Sequence, residues 1–329
     1  MKNIGERTGG DIYLGIVGPV RVGKSTFIKK FMEQAVIPYV EDEYEKGRMI
    51  DELPQSGEGK TIMTTEPKFV PNNAATIAFD DGFTVKVRLV DCVGFVIPEA
   101  KGYKDENGMR MVRTPWYDEA IPFNEAAKTG TQKVIQDHST IGIVITTDGS
   151  IADLPRDSYI EAEAEVIDEL TQIGKPFIII VNSKDPSSIQ CRSVVDKLKE
   201  KTQVPVLPMA VNRLDEDDIH ALLREALYEF PVSEINVQMP KWVSVLSDEH
   251  WLKQSVNGSI EESMKAITKL REVEGIVDIL NENEYVEKAN LATVDTGKGV
   301  AVVDLEVKSG LYNQVLKEII GQDITDKAQ

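Results

Sequence analysis

The chain of 329 residues carries 37 Lys and Arg against 55 Asp and Glu, and its formal net charge of −18 disfavours nucleic acid or an anionic membrane as a partner. This length is enough for a sizeable core and predicts two domains. No apolar run approaches the roughly 20 residues of a membrane span, and the N-terminus lacks a secretory signal pattern, so we expect a cytoplasmic protein.

The first predicted strand, residues 12–17, leads into a glycine-rich turn and then into a stretch of helical spacing. Gly18, Gly23, Lys24 and Ser25 fill the pattern G-x-x-x-x-G-K-[ST], whose backbone amides close around a nucleotide β-phosphate. We expect Lys24 to contact the β- and γ-phosphates and Ser25 to bind Mg²⁺. The alternative is a chance match on an ordinary glycine turn. The residues expected to surround the nucleoside triphosphate are Gly18, Pro19, Val20, Arg21, Val22, Gly23, Lys24, Ser25 and Thr26.

Two later segments are candidates for binding the metal and the γ-phosphate. Thr64 and Thr65 follow a polar glycine loop, where a threonine can coordinate Mg²⁺ and sense the γ-phosphate, or alternatively begin an edge strand. Asp91 and Gly94 form a D-x-x-G pattern in which the carboxylate holds the Mg²⁺ shell and the glycine N–H meets the γ-phosphate. The alternative for Asp91 is an acidic residue that closes a strand. We expect Lys24, Thr64, Thr65 and Asp91 to be catalytic, and Ser25, Thr65 and Asp91 to bind metal.

Apolar runs typical of strands alternate with stretches of helical spacing along the first two thirds of the chain. The predicted strands are residues 12–17, 84–90, 141–146, 177–181 and 206–209, and the predicted helices are residues 25–34, 157–173, 188–201 and 216–228. This alternation predicts an α/β fold with a doubly wound parallel sheet. We assign a P-loop NTPase domain to residues 1–235, with a long insert at about 95–130 that is either a contact surface or a cluster covering the domain.

A change of pattern after residue 230 indicates a second, smaller α+β domain over residues 236–329. Pro231 and Pro240 bracket what we expect to be a short extended linker. Helices are predicted around residues 243–256 and 259–281, a strand pair around 289–307, and a last helix after Gly310. No motif in this part indicates a chemical role.

The motifs together resemble the translation-factor-related class of phosphate-loop proteins, and within it the stage IV sporulation protein A family of spore-forming bacteria. The segments that carry the resemblance are residues 18–26, 64–67, 90–95 and 114–117. It extends over the whole chain, although family members continue with a further C-terminal region that this sequence is expected to lack.

The resemblance implies an ATPase that binds ATP and Mg²⁺ and uses hydrolysis to drive its own polymerisation into the basement layer of the spore coat. It implies a place in the mother-cell cytoplasm, at the outer forespore surface. The implied partners are further copies of the chain, a small amphipathic membrane-bound sporulation peptide and other coat morphogenetic proteins. Membrane contact is then indirect, through that peptide or through the C-terminal region.

Two departures from the wider GTPase pattern bear on the nucleotide. Guanine is usually selected by Asn-Lys-x-Asp, whereas this chain has Asn182 and Asp185 in place but its lysine one residue later, at Lys184. That displacement weakens guanine selection and is compatible with adenine, so Asn182 and Asp185 are expected at the base. Alternatively, they cap the following turn.

The second departure is Phe95, which directly follows Gly94 where Ras-like proteins have a water-positioning glutamine. We therefore expect hydrolysis to be slow, or to depend on Thr64, Thr65 or an arginine from a neighbouring subunit. Arg110 and Arg113 are candidates for such an arginine. A GTPase switch and a nucleotide-stabilised scaffold remain the alternative functions; the acidic charge disfavours the former, and the intact phosphate loop the latter.

Overall fold

The computed structural model describes residues 1–54, 67–78, 83–92, 94–97, 104–105, 108–114, 116–152 and 154–321. Residue contacts divide the chain into two compact units, the first ending at Glu229 and the second beginning at Phe230. We expected the second unit to begin at residue 236. It begins earlier, since the N–H of Val232 already donates to the carbonyl of Thr268. None of the helices in the described ranges is long and apolar enough to cross a bilayer.

The first unit is a sheet flanked by helices. Before the insert its elements are α1 (Lys2–Arg7), β1 (Asp11–Val17), α2 (Lys24–Ala35), α3 (Glu43–Glu52), β2 (Lys68–Ala78) and β3 (Thr84–Asp91). The insert contains β4 (Lys104–Asp105), β5 (Gly108–Met109), β6 (Met111–Val112) and β7 (Ile121–Pro122). It is followed by α4 (Phe123–His138), β8 (Ile141–Thr147), α5 (Ile160–Ile173), β9 (Phe177–Asn182), α6 (Ile189–Lys201), β10 (Val206–Met209) and α7 (Glu216–Leu227).

The main sheet has the strand order β10-β9-β8-β1-β3-β2. The first five of these strands are parallel, and β2 pairs antiparallel with β3 at the edge. Every residue of β8 and β9 is buried, because helices cover both faces of the sheet. The predicted α/β fold with a doubly wound, parallel-rich sheet is confirmed.

Local sequence signals fix where several flanking helices begin and end. Ser188 caps α6 by accepting from the N–H of Cys191. Asp215 and Asp218 form a capping box at the start of α7. α5 is followed by Gly174, whose left-handed conformation (φ 73°) suits a residue without a Cβ. The turns between strands and helices are therefore specified by nearby residues.

Eight of the helices and strands named above for the first unit were not predicted, namely α1, α3, β2, α4 and the four short strands β4 to β7 of the insert. In β2 the alternating pattern is interrupted by a register shift between Val70 and Ala75. α4 begins at Phe123, inside the insert expected at 95–130, and its Gly130 weakens the helical signal. Its inner face buries Ala126 and Ala127 against Val112. The described part of the insert thus includes a small hydrophobic cluster, which is the second of our two readings.

The second unit is a three-stranded sheet with helices. Its elements are β11 (Glu234–Gln238), α8 (Lys241–Ser244), α9 (Trp251–Ala266), α10 (Glu274–Glu282), β12 (Val286–Asp295), β13 (Val300–Val307) and α11 (Leu311–Ile320). The strand order is β11-β13-β12, with β11 parallel and β12 antiparallel to β13. Its buried core includes Val243, Leu252, Val256, Leu280 and Val303. The smaller α+β domain is confirmed.

Two expectations for this unit are wrong. The segment between Pro231 and Pro240 is not a linker, because β11 lies within it and pairs with β13. The expected break between helices near residue 257 is absent, since α9 continues through Gly258. Gly258 faces open space and lowers helix stability by about 1 kcal/mol, which burial of Leu252 and Val256 outweighs. The helical segment instead ends at Ala266.

Candidate functional site

The carboxyl ends of the parallel strands bring the predicted site residues to one edge of the main sheet. β1 lies between β3 and β8, so the strand order reverses there, and such a switch point is where open α/β sheets bind ligands. The loop 18–23 follows β1, Asp91 ends β3 and Asn182 ends β9. In the loop, Gly18, Pro19, Val20, Val22 and Lys24 are buried, whereas Arg21, Gly23, Ser25 and Thr26 are at least partly exposed.

Three glycines allow close approaches that a side chain would prevent. A Cβ on Gly18 (φ 141°) would lie 2.1 Å from a backbone oxygen of β8. One on Gly23 (φ 97°) would lie 2.5 Å from Nδ2 of Asn182. One on Gly94 would lie 2.6 Å from Nζ of Lys24. The glycines therefore let the loop close tightly against β8, Asn182 and Lys24, and we call this turn the glycine cradle. Glycine-rich turns of this kind suit a phosphate group.

Lys24 begins α2, and its amine is buried in this cradle. Its Nζ donates to the carbonyl oxygens of Gly18 at 3.1 Å and Pro19 at 2.7 Å. Burial lowers the pKa of Lys24 to about 8, while the nearby Asp91 carboxylate acts to raise it. A fixed ammonium next to backbone amides at a helix start suits the oxygens of a triphosphate.

Ser25 and Asp91 meet beside Lys24. The Oγ of Ser25 donates to Oδ2 of Asp91 at 2.9 Å. The pKa of Asp91 is raised, because the effect of burial exceeds the opposing effects of the Lys24 ammonium and the hydrogen bond from Ser25. A hydroxyl and a carboxylate are the hard oxygen donors that Mg²⁺ prefers, so these residues fit that ion. Thr64 and Thr65, the other expected contributors, lie outside the described residues.

Asn182 connects the end of β9 to the phosphate loop. Its Nδ2 donates to the carbonyl of Val22 at 2.9 Å, and its Oδ1 accepts from the N–H of Val211 at 3.2 Å. Both polar atoms of the side chain are thus bonded to backbone groups from distant parts of the sequence. These bonds tie Asn182 to the loop and do not cap the following turn, and the expectation that Asn182 lies at the base stays a prediction.

Asp185 lies on the surface, in the turn before α6. Its Oδ1 accepts from the N–H of Ser187 at 3.0 Å and from the Oγ of Ser187 at 2.6 Å, and these bonds lower the pKa of Asp185. These bonds match the turn-forming alternative that the sequence left open, and the expectation that Asp185 lies at the base stays a prediction. The side chain of Lys184 is also exposed, and its carbonyl accepts from Arg213.

Phe95 closes the other side of the loop. The N–H of Val20 donates to the carbonyl of Phe95 at 2.9 Å, and the N–H of Phe95 donates to the carbonyl of Gly18 at 3.1 Å. The ring of Phe95 is buried. An apolar ring has no group that could orient an attacking water, so Phe95 anchors the loop and leaves that task to other residues.

Arg21 has a backbone conformation that sequence reasoning did not foresee. With φ of 65°, it is the one non-glycine residue at positive φ in the part of the chain that the structure describes. The left-handed conformation costs a residue with a Cβ roughly 1–2 kcal/mol. The Arg21 side chain is exposed, in contrast to the buried Lys24 three residues later.

Two family models match this chain. The family model described as the stage IV sporulation protein A ATPase domain matches residues 1–231, and the one described as the middle domain of the same protein matches residues 232–329. Together these matches span the chain. The chain belongs to the stage IV sporulation protein A family.

Curated relatives carry the same name. The chain is 56% identical to stage IV sporulation protein A of Bacillus subtilis (strain 168) over 323 residues, which are 98% of this chain and 66% of the relative. It is 47% identical to that of Clostridioides difficile (strain 630) over 97% of this chain and 65% of the relative. The chain thus spans about two thirds of the length of these relatives.

Among solved structures, one match is translation elongation factor SelB from Methanococcus maripaludis in its apo form. It is 12% identical, with a TM-score of 0.35, over 66% of this chain and 33% of that one. A TM-score this low shows only a loose likeness.

This member of the stage IV sporulation protein A family also has a buried polar network that the sequence did not reveal. Asp148 follows β8, and its carboxylate accepts from the Oγ of Ser183 at 2.6 Å and from the N–H of Ser150 at 2.9 Å. The carbonyl of Asp148 accepts from the side chain of Gln190. The network joins the ends of β8 and β9 beside Asn182. The sequence offered one indication of this network, since the polar residues Asp148 and Ser150 come directly after a fully buried strand.

Proposed function

We propose that this chain binds ATP with Mg²⁺ in the loop 18–26 and hydrolyses it slowly to ADP and phosphate. The observation that carries the proposal is the buried ammonium of Lys24, held beside the Ser25–Asp91 pair within a glycine cradle. ATP rather than GTP is supported by the name of the matching ATPase domain and by the displaced Lys184. The catalytic assignments of Thr64 and Thr65 stay part of this proposal.

In this mechanism the loop amides and Lys24 hold the phosphate chain. Ser25 and Asp91 would hold the metal, which supplies neutralisation of charge on the phosphate oxygens. Gly94 lets the segment after β3 lie close to Lys24, and the backbone of Phe95 bonds that segment to the loop. The side chain of Asn182 holds the loop in place through its hydrogen bond to the carbonyl of Val22. Without a water-orienting glutamine, these residues position ATP better than they activate water, so turnover is slow.

We further propose that hydrolysis drives polymerisation of the protein into the basement layer of the spore coat, on the outer forespore surface in the mother-cell cytoplasm. The proposal is supported by family membership and by the sporulation names of the relatives. Its partners are further copies of the chain, a small amphipathic membrane-bound peptide and other coat morphogenetic proteins. The −18 charge supports the exclusion of nucleic acid, and membrane contact is indirect.

Turnover of ATP and of GTP by the purified chain, with and without Mg²⁺, tests the enzymatic part. Lys24→Ala should lose nucleotide binding, because the phosphates lose their buried cation. Asp91→Asn should still bind ATP but lose Mg²⁺-dependent turnover, because the metal loses a charged ligand. Lys201→Ala, which removes an exposed lysine at the end of α6, is the matched control. Labelled ATP bound equally by Lys24→Ala and wild type would refute the site, and faster turnover of GTP would favour the switch alternative.

Sedimentation tests the coupling to assembly, both for this chain and for a full-length family member. Wild type with ATP is compared with wild type holding a non-hydrolysable analogue and with the Thr64→Ala, Thr65→Ala double variant. We expect polymer only in the first sample, because the other two bind nucleotide without cleaving it. Equal polymer in all three would mean that nucleotide only stabilises the fold, as the scaffold alternative requires.

A further inference from the structure

Arg21 has a strained backbone conformation and an exposed charged side chain, and its place in the loop requires neither. The loop turns through positive φ at Arg21, a conformation that glycine adopts without strain, yet a long charged side chain stands there. Strained residues of this kind cluster at functional sites, where the strain is held by the surrounding structure. Arg21 is held in this way, since both Val20 and Val22 beside it are buried.

The charge of Arg21 is available to a ligand. No side chain or backbone oxygen of the described residues accepts a hydrogen bond from its guanidinium, and none forms an ion pair with it. Lys24, three residues later, instead uses its amine to bond two carbonyls of the loop. The loop thus carries one cation buried at its base and one exposed at its mouth. In a chain of net charge −18, an exposed arginine that has no ion-pair partner among the described residues adds positive charge to this loop.

At the residue after Gly94, where Ras-like proteins have a glutamine that orients water, this chain has no polar side chain. Phe95 occupies that position. Its ring is buried and has no polar group that could bind a water molecule or transfer a proton. Stabilisation of charge as the phosphate bond breaks is a route to faster hydrolysis that needs no water-orienting group at residue 95. A guanidinium placed on the phosphoryl oxygens is an effective form of such stabilisation.

We propose that Arg21 is a catalytic residue, an arginine supplied by the phosphate loop itself to the breaking phosphate bond. The inference rests on the proposed ATPase function. Water attacks the γ-phosphorus, and the bond from that phosphorus to the bridging oxygen breaks. ADP leaves with the bridging oxygen, and hydrogen phosphate and one proton are released. The guanidinium neutralises charge that grows on the γ-phosphoryl and bridging oxygens, so no arginine of a neighbouring copy, such as Arg113, is required.

Arg21→Gly is the variant that separates strain from function. It removes the side chain and the Cβ that makes φ of 65° unfavourable, so the melting temperature should not fall. The dissociation constant for ATP should stay within about threefold of wild type, while kcat falls by about 100-fold or more. Arg21→Lys keeps the charge without the planar fork and should give an intermediate kcat. Arg224→Ala, which removes an exposed arginine on α7, is the control and should match wild type.

A second measurement reports on Arg21 even where turnover is very slow. The complex of ADP, Mg²⁺ and aluminium fluoride mimics the phosphoryl group in transfer, and Arg21→Gly should bind it at least about 30-fold more weakly while binding ADP normally. Wild-type turnover per chain should also be independent of protein concentration, because the arginine acts within one chain.

The outcomes separate this inference from the proposed function. Wild type that neither binds nor hydrolyses ATP overturns both. Active wild type with an equally active Arg21→Gly, or with equal affinity of the two proteins for the fluoride complex, overturns the role of Arg21 and leaves the ATPase proposal standing. Turnover that rises steeply with protein concentration and is unaffected in Arg21→Gly assigns the arginine to a neighbouring copy.

Discussion

The amine of Lys24 is buried against the carbonyls of Gly18 and Pro19, and burial brings its pKa down to about 8. Below about pH 8 the nucleotide-free protein therefore holds a charged amine, and above it the amine is mostly neutral. A bound triphosphate places negative charge around the amine and raises its pKa. Binding above about pH 8 thus requires the protein to take up a proton.

We expect the affinity for ATP to fall as the pH rises through about 8. Proton uptake should approach one per ATP at about pH 9 and be small at about pH 7, because Lys24 is already protonated there. Calorimetric titrations in two buffers of different ionisation enthalpy measure this uptake directly. Lys201→Ala should show the wild-type profile, and uptake that stays constant across this range would assign the titration to another group.

At the scale of residues, the spacing of Gly18, Gly23, Lys24 and Ser25 was enough to predict a tight glycine turn between β1 and α2, because one short loop supplies all of its parts. Phosphate binding by this turn stays a prediction. The left-handed φ of Arg21 was not predictable, since it depends on how the loop closes and not on a residue preference. The bonds of Asn182 to residues 22 and 211 were also beyond local patterns, because they join distant parts of the chain.

At the scale of elements, the side chain of Asn182 joins three pieces of the first unit. It lies at the end of β9, holds the turn before α2 through Val22, and holds the short helical turn after β10 through Val211. Its amide also approaches the position that a Cβ on Gly23 would occupy. The geometry of the phosphate loop therefore depends on a strand that lies two places away from β1 in the sheet.

Asn182→Ala should lower the free energy of unfolding of the first unit by about 1–3 kcal/mol, because it leaves a buried carbonyl and a buried N–H without their partner. It should also weaken ATP binding, since the loop loses its support. Urea unfolding and nucleotide titration measure the two effects. Asn212→Ala, at an exposed position in the neighbouring turn, is the matched control, and equal losses in the two variants would contradict the supporting role.

The elements that were predicted share one property: their apolar residues are continuous or evenly spaced. β8 and β9 are buried on all sides and read as uninterrupted apolar runs. β2 was missed because an edge strand with polar residues and a register shift has no regular pattern. The course of α9 was mispredicted because Gly258 indicates a break in sequence, whereas the packing of Leu252 and Val256 decides that the helix continues.

At the scale of the whole molecule, the chain consists of two units that each have their own sheet and their own core. The nucleotide loop, Asp91 and Asn182 all belong to the first unit. A ligand stabilises the unit that binds it by mass action, and it leaves an independent unit unchanged. The division at residue 230 could be anticipated approximately from the change in pattern, but its position depends on contacts such as that of Val232 with Thr268.

Calorimetry of the whole chain should therefore show two unfolding transitions. A non-hydrolysable ATP analogue with Mg²⁺, at about 100 times its dissociation constant, should raise one transition by roughly 5–10 °C and leave the other in place. Lys24→Ala should show no such shift, because it does not bind the analogue. A single transition that moves as a whole would show that the two units unfold together.

The two edges of the main sheet, β10 and β2, each contain a proline, Pro208 and Pro71. Proline cannot donate a backbone hydrogen bond to a further strand, and irregular edges discourage the addition of one. In β2 the register shift interrupts the edge, and the N–H of Asn72 is bonded to Glu52. Copies that assemble would then join through helix faces, loops or the second unit. The resulting layer should give no fibre reflection at about 4.7 Å along its growth direction and should not bind amyloid dyes.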